Sequence, residues 1–154
     1  MFADLYQSII LEHYRTPANV GEIEGGLQGR NAHPSCGDKV LLSVRLDDGG
    51  VAEVKFVGEG CSISQASLSM MTEAVTGKSV EQVRDIYLAF RQMLYGEEPN
   101  EDLLGDIVAL HGVSKFPARV PCATLGWETL AELLELDTPP VEGFGLIPRF
   151  FAIA

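Results

Sequence analysis

Cations are scarce in this chain: 11 Lys and Arg stand against 22 Asp and Glu, a formal net charge of −11. A surface of that sign repels phosphate, so the backbone attraction behind most DNA and RNA binding is missing and nucleic acid is not an expected partner. Long apolar runs are missing too. Nothing approaches the ~18–20 residues of a membrane span, and Met1-Phe2-Ala3-Asp4 lacks the basic stretch and apolar core that open a signal peptide. The expected setting is cytoplasmic, with no membrane partner. Cysteine is the third scarcity: three residues cannot all pair within one chain, and in a reducing compartment they stay thiols. Metal binding, catalysis or an inert place in the core are the uses left to them. The phosphate-binding loop is absent as well. No Walker A pattern occurs, and the glycines from Gly21 to Gly29 do not lie between a strand and a helix as a phosphate loop must.

What is present is globular. Hydrophobic residues make up 46% of the 154 and charged residues 21%, a composition that supports a core and not disorder. One domain of this size buries roughly 70% of its unfolded surface. No repeat or linker divides residues 1–154, so a single domain is expected.

Periodicity supplies the elements. Asp4 is placed to cap a first helix carrying Leu5, Ile9 and His13, with Thr16-Pro17 to end it. From Ala18 to Asp38 the glycines and Pro34 predict a loop, with one short edge strand around Leu27 to Asn31. Val40, Leu42, Val44 and Leu46 alternate with Leu41, Ser43 and Arg45; Val54 and Phe56 alternate likewise, and Asp47-Asp48-Gly49-Gly50 joins the two runs as a hairpin. After Gly58-Glu59-Gly60-Cys61 the period lengthens to that of a helix, with Ile63, Ala66, Met70 and Ala74 on one stripe and Gly77 as its stop. Ser79 and Gln82 form a capping box for a helix that runs to Gly96. Asn100 starts a further helix through Leu103, Leu104, Ile107 and Leu110. Phe116 to Pro121 reads as loop, Cys122 opens a last helix to Asp137, and Pro139-Pro140 closes it. The tail 141–154 has no clear period and is left unassigned.

By spacing alone the cysteines are a weak metal signal, because no pair forms CxxC. Their context is stronger. Cys36 ends the Gly/Pro loop, Cys61 follows Gly60 and Cys122 follows Pro121, so each precedes a regular element. A thiol at a helix N-terminus feels the positive end of the dipole, which favours the thiolate that binds metal or attacks sulfur. The plainer alternative is that these cysteines are small buried apolar groups. Asp38 is either a turn carboxylate after Gly37 or a fourth donor beside Cys36. Arg119 is either a solvated arginine or the charge that offsets a thiolate at Cys122. His33, in the Cys36 loop, is a candidate ligand, whereas His13 and His111 read as helix-face residues and the Met70, Met71 stripe as core. A papain-like Cys-His nucleophile finds no local signature.

Three segments taken together carry a resemblance: Asn31-Ala32-His33-Pro34-Ser35-Cys36-Gly37-Asp38, Gly58-Glu59-Gly60-Cys61-Ser62-Ile63-Ser64-Gln65-Ala66-Ser67, and Arg119-Val120-Pro121-Cys122-Ala123-Thr124-Leu125. They resemble the U-type iron-sulfur cluster assembly scaffolds, the IscU/SufU/NifU N-domain family, over about residues 3 to 136. The resemblance implies an α+β fold, SufE/NifU-like, with a three-stranded antiparallel sheet and helices packed on one face. It also implies a metal site of Cys36, Asp38, Cys61 and Cys122 at one end. Departures select the subgroup. IscU proteins carry a histidine before the third cysteine, reached through Leu-Pro-Pro-Val-Lys; here Pro121 precedes Cys122 and the segment is Phe116-Pro117-Ala118-Arg119-Val120. That histidine ligand and that chaperone-binding segment are absent. The added stretch from Tyr95 to Ser114, with Arg119 as an auxiliary residue, is similar to SufU. SufU-type proteins bind zinc and accept persulfide sulfur from a SufS-type cysteine desulfurase for downstream iron-sulfur acceptor proteins.

Three thiolates and a carboxylate satisfy tetrahedral zinc completely. A closed site activates no water, so a hydrolase is not expected; the chain is at most a zinc-dependent sulfurtransferase or sulfur acceptor. The same ligands suit a transient [2Fe-2S] cluster, which keeps iron binding open beside zinc. Cys36 and Cys122 remain alternative sulfur acceptors. From a different class, a small interaction module with a purely structural zinc competes with both.

Overall fold

The computed structural model describes residues 2–33 and 37–136, with backbone only over 2–6. Five α-helices and three strands follow in the order α1 (Phe2–Arg15), β1 (Leu27–His33), β2 (Asp38–Asp47), β3 (Gly50–Glu59), α2 (Ser62–Val75), α3 (Val80–Leu94), α4 (Glu101–Leu104) and α5 (Val120–Leu133). Two 3-10 segments, Gly105–Lys115 and Pro117–Arg119, join α4 to α5. The strands form one antiparallel sheet in the order β1-β2-β3. Its inner face packs against α2 and α5, the α+β arrangement expected.

The β2-β3 hairpin turns at Asp48 (φ 51°) and Gly49 (φ 77°), the two successive positive φ angles that an Asp-Gly turn supplies. Val40, Leu42, Val44, Val54 and Phe56 point into the core as their alternation requires. Leu46 does not: it is 42% exposed, because the register slips between Arg45 and Leu46 and the bulge breaks the alternation there. Ser43, on the outer row, is nonetheless buried, and its hydroxyl oxygen accepts from Gln28 Nε2 at 3.2 Å.

Helices close over the sheet through tight contacts. A Cβ on Gly126 of α5 would land on the Leu68 side chain of α2, and one on Gly29 of β1 would press on Leu133. Glycine at these points lets a leucine side chain of the facing element pack directly onto the backbone. Behind them Trp127 is buried, stacked on Phe90 (centroids 5.0 Å apart) and Tyr87 (6.2 Å). Met70 and Met71 lie in this core. The Ser79/Gln82 capping box is formed on both sides, at 3.1 and 2.9 Å.

Three expectations are corrected. The first helix begins at Phe2, so Asp4 lies inside it and not at its cap. Asn100 does cap a helix, accepting from Leu103 N–H, but α4 lasts four residues. At Gly105, with φ 53°, the chain leaves the α-region, and Ile107 and Leu110 reach the core from 3-10 turns instead. The Phe116 to Pro121 loop is ordered as a 3-10 turn running into α5, which starts at Val120, so Cys122 sits inside the first turn and does not open it. Asp137, Pro139, Pro140 and the tail 141–154 lie outside the described residues, as do Pro34, Ser35 and Cys36. Among the described residues no helix is long and apolar enough to cross a membrane.

Candidate metal centre

The start of β2, the end of β3 and the N-termini of α2 and α5 meet at one end of the molecule. Asp38, first residue of β2, is fully buried. One carboxylate oxygen accepts the backbone N–H of Cys61 at 3.1 Å, and the other lies 4.0 Å from Cys61 Sγ. Cys61 is the N-cap of α2 in extended conformation (φ −75°, ψ 171°), and its side chain takes no part in capping. Instead its carbonyl anchors the helix, accepting from Gln65 N–H and Ser64 O–H, both at 3.1 Å. That arrangement turns Sγ toward Asp38.

Gly60 makes the approach feasible. A Cβ there would collide with Asp38 Oδ1 and Ser64 Oγ, so glycine is required for space. Ser67 fixes a second part of the site. Its hydroxyl donates to the Ala123 carbonyl at 2.6 Å inside the core, tying α2 to α5 beside Cys122. Periodicity and spacing assign no such role to Gly60 or to either serine. The signal available is the Gly-Glu-Gly-Cys-Ser-Ile-Ser run itself, whose small residues leave room for a buried carboxylate.

Asp38, Cys61 and Cys122 each offer a donor atom, and the three atoms lie within 4.8 Å of one another. Tetrahedral zinc with bonds of about 2.3 Å to sulfur and 2.0–2.2 Å to oxygen sets ligand atoms roughly 3.5–3.8 Å apart. Closing onto an ion therefore asks for shifts of about an ångström or less. The donor chemistry fits, since two soft sulfurs and one carboxylate suit zinc or an iron-sulfur unit better than calcium or magnesium. Charge argues the same way. A thiolate and a carboxylate 4.0 Å apart repel by ~4 kcal/mol at an effective dielectric of about 20, so the ionised set needs a cation in its midst.

Part of that charge is supplied from outside. Arg119, exposed at the end of the 3-10 turn, hydrogen-bonds to Cys122, and this bond first, then the charges of Cys61 and Cys122, hold the guanidinium above its already high ordinary pKa. Of the sequence-derived candidates the structure thus gathers Asp38, Cys61, Cys122 and Arg119. Cys36 lies outside the described residues; its flanks are joined by Gly37 N–H to the His33 carbonyl at 3.0 Å. His33 ends β1 opposite Asp38 but is not in the donor cluster. His13 is on α1, hydrogen-bonded to Ser69 Oγ at 2.8 Å, away from the centre.

Comparison with known proteins agrees with this layout. The chain is 46% identical over 127 residues to the zinc-dependent sulfurtransferase SufU of Bacillus subtilis, covering 82% of this chain and 86% of that protein. It is 39% identical to the iron-sulfur cluster assembly scaffold protein IscU of Streptococcus pyogenes, over 85% and 83% of the two chains. Among solved structures, a Fervidobacterium islandicum protein described as a candidate SUF-system iron-sulfur scaffold superposes with a TM-score of 0.78 at 34% identity, over 82% of this chain and 93% of that one. Residues 5–123 match the NifU-like N-terminal domain, and the chain belongs to that family.

Proposed function

We propose that this chain is an iron-sulfur cluster assembly protein that accepts persulfide sulfur from a cysteine desulfurase at a site of Cys36, Asp38, Cys61 and Cys122. The observation that carries the reading is the convergence of Asp38, Cys61 and Cys122 under an exposed arginine. Arg119 offsets thiolate charge at Cys122 from the solvent side, the side from which a partner's anionic persulfide would arrive. The SufU relative, named a zinc-dependent sulfurtransferase, supports zinc as the resting ion. The IscU relative, named a scaffold, supports a nascent [2Fe-2S] unit on the same ligands.

Bound there, zinc would supply a positive centre that keeps the thiols ionised. The protein's own groups do the rest. Cys61, at the N-cap of α2, and Cys122, in the first turn of α5, also face the positive ends of two helices. Asp38 is held in place by the Cys61 N–H, and Arg119 offsets the charge of Cys122. The accepting thiolate, Cys36 or Cys122, attacks the outer sulfur of the donor persulfide. A new S–S bond forms, the donor's S–S bond breaks, and the donor cysteine leaves as thiolate, with no net redox change. Of the two, Cys122 is 1% exposed, and a group so enclosed is poorly placed to meet a partner's persulfide. Cys36, in the glycine-rich segment before Asp38, is therefore the favoured acceptor.

Single Cys→Ala variants mixed with a SufS-type desulfurase and cysteine test the reading. Persulfide on the chain, trapped by alkylation and read by mass spectrometry, should vanish in Cys36→Ala. Full persulfide loading and full stimulation of cysteine turnover in every single variant would remove the sulfur-acceptor role. Chelation separates a structural zinc: the core built around Trp127, Phe90 and Leu42 should keep far-UV circular dichroism and cooperative melting after metal removal, whereas a structural zinc domain unfolds.

A further inference from the structure

The sheet's outer face, turned away from the core, carries four cross-strand rows: Ala32, Lys39 and Glu59; Arg30, Leu41 and Val57; Gln28, Ser43 and Lys55; Arg45 and Glu53. Four of the chain's 11 cations stand there against two acids, although the whole chain has a formal charge of −11. This face has the sign that the molecule otherwise lacks. Its two halves differ. Glu53 takes both cations beside it, with one carboxylate oxygen 3.6 Å from Arg45 Nε and the other 3.6 Å from Lys55 Nζ. Arg30 and Lys39, nearer the metal centre, make no ion pair among the described residues, even though Glu59 stands opposite Lys39.

Beside the two unpaired cations the floor is apolar. Leu41 is half-buried and Val57 is 44% exposed, side by side on adjacent strands. The solvated face of an antiparallel sheet is ordinarily polar at such positions. With Arg30, Lys39 and Glu59 these two residues line a shallow depression of about 540 Å³. Arg30 pairs with Leu41, two residues along β2 from Lys39, so the cations are diagonal neighbours about 7–8 Å apart. One carboxylate, or two in succession, reaches both while an adjacent apolar side chain rests on Leu41 and Val57.

We infer that this part of the outer face is a docking surface for a partner protein presenting a short acidic segment with an apolar anchor residue. Charge selects the occupant. Arg30 and Lys39 attract carboxylates that no acid of the chain supplies, and the exposed apolar floor gives an anchor side chain somewhere to be buried. A long polyanion such as nucleic acid would run on over the acidic remainder of the surface and be repelled there. A second copy of the chain brings its own −11 and is repelled at long range. The inference needs neither metal nor thiol, so it stands apart from the sulfur-acceptor reading. Lys39 follows Asp38 in β2, and a protein held on this face therefore lies beside the metal centre.

The test titrates the full chain with an array of short blocked peptides, each carrying Asp and Glu around a single Leu, Ile or Phe, followed by calorimetry and backbone amide shifts. At least one peptide should bind tighter than about 1 mM, with shifts centred on residues 30–32, 39–41 and 57–59. Arg30→Glu and Lys39→Glu should each weaken it roughly fivefold or more, the scale of one exposed ion pair lost, and Val57→Ser should weaken it too. Lys78→Glu makes the same charge change away from the face and should leave binding as it was. Circular dichroism and zinc content check each variant, and if Lys39→Glu disturbs the neighbouring Asp38, Arg30→Glu and Val57→Ser still decide. Failure of every peptide to bind overturns the inference, as does equal weakening by Lys78→Glu. Equal binding of inorganic phosphate or a short oligothymidylate would make this a general anion site. A change in sedimentation of Arg30→Glu without peptide would make the occupant a second copy, and displacement of the peptide by a SufS-type desulfurase would give the face to that enzyme; each of these also overturns it.

Discussion

Replacing Gly60 by alanine adds one methyl group at the point where three elements of the site meet. Gly60 does not have a positive φ, so the backbone tolerates alanine there; the obstacle is space. The new Cβ would overlap Asp38 Oδ1 and Ser64 Oγ, with Asp38 Cγ at 2.8 Å. Ser64 can rotate, but Asp38 is fully buried and fixed by the Cys61 N–H, so the carboxylate has to move. Overpacking of a filled interior typically costs about 1–3 kcal/mol, which for a domain of this size lowers the melting temperature by roughly 2–12 °C. The functional cost is separate: a carboxylate pushed off the Cys61 N–H that orients it no longer points at the donor cluster, and zinc affinity should fall by ~10–100-fold, the range for losing a hydrogen bond that aims a ligand. Gly112→Ala is the control, since a Cβ there meets nothing within 4 Å and should leave both quantities unchanged. Calorimetric melting of the metal-free proteins and competitive zinc titration of both variants give the answer. Wild-type zinc affinity in Gly60→Ala would show that Asp38 is not held at the centre by this contact, and the steric argument would fail.

Three other expectations follow from the same geometry. Ser67→Ala removes a 2.6 Å buried bond to the Ala123 carbonyl, whose place inside α5 leaves it the helix's own partner, so stability should fall by about 0.5–1.5 kcal/mol in urea unfolding; a smaller change would mean the two helices are held by packing alone. Asp38→Ala leaves the thiolates to hold zinc, because sulfur carries most of the affinity, but should deliver sulfur more slowly to acceptors; reduced melting with a wild-type transfer rate would reduce Asp38 to a turn residue. Association with a desulfurase should weaken on the order of tenfold between ~0.1 and ~1 M salt, given a net charge of −11, and salt-independent binding measured by calorimetry would discard electrostatic docking.

Most elements are legible in the sequence because their signals are local. The Asp-Gly turn, the Ser79/Gln82 box and the switch from period two to the helical period after Gly60 each act within a few residues. The errors fall where tertiary contact overrides such signals. Leu46 follows the alternating pattern yet is exposed, since a bulge at the hairpin end rotates it outward. Ile107 and Leu110 are apolar at helical spacing, and they are buried as expected, but Gly105 diverts the backbone into 3-10 turns packed against α1, α2 and α3. Apolar periodicity reports which residues face the core more faithfully than it reports the backbone that carries them.

At the site the limit is different. Composition and spacing nominate the cysteines only by their places before regular elements, and the ligand set comes from a resemblance of segments, because convergence is a property of topology. Asp38 and Cys61 are brought together by the β2-β3 pairing, in which Lys39 stands opposite Glu59, so the residue before one and the second residue after the other must meet at the sheet end. Cys122 arrives by a separate route, through the α2-α5 packing at Leu68 and Gly126 and the Ser67–Ala123 bond. The two routes share only α2, whose first turn carries Cys61 at its cap. Any perturbation that tilts α2 therefore moves the thiol relative to both partners at once, whereas one confined to the hairpin or to α5 moves a single donor. Metal affinity should on this account be more sensitive to substitutions under α2 than to equally destabilising ones under the hairpin turn.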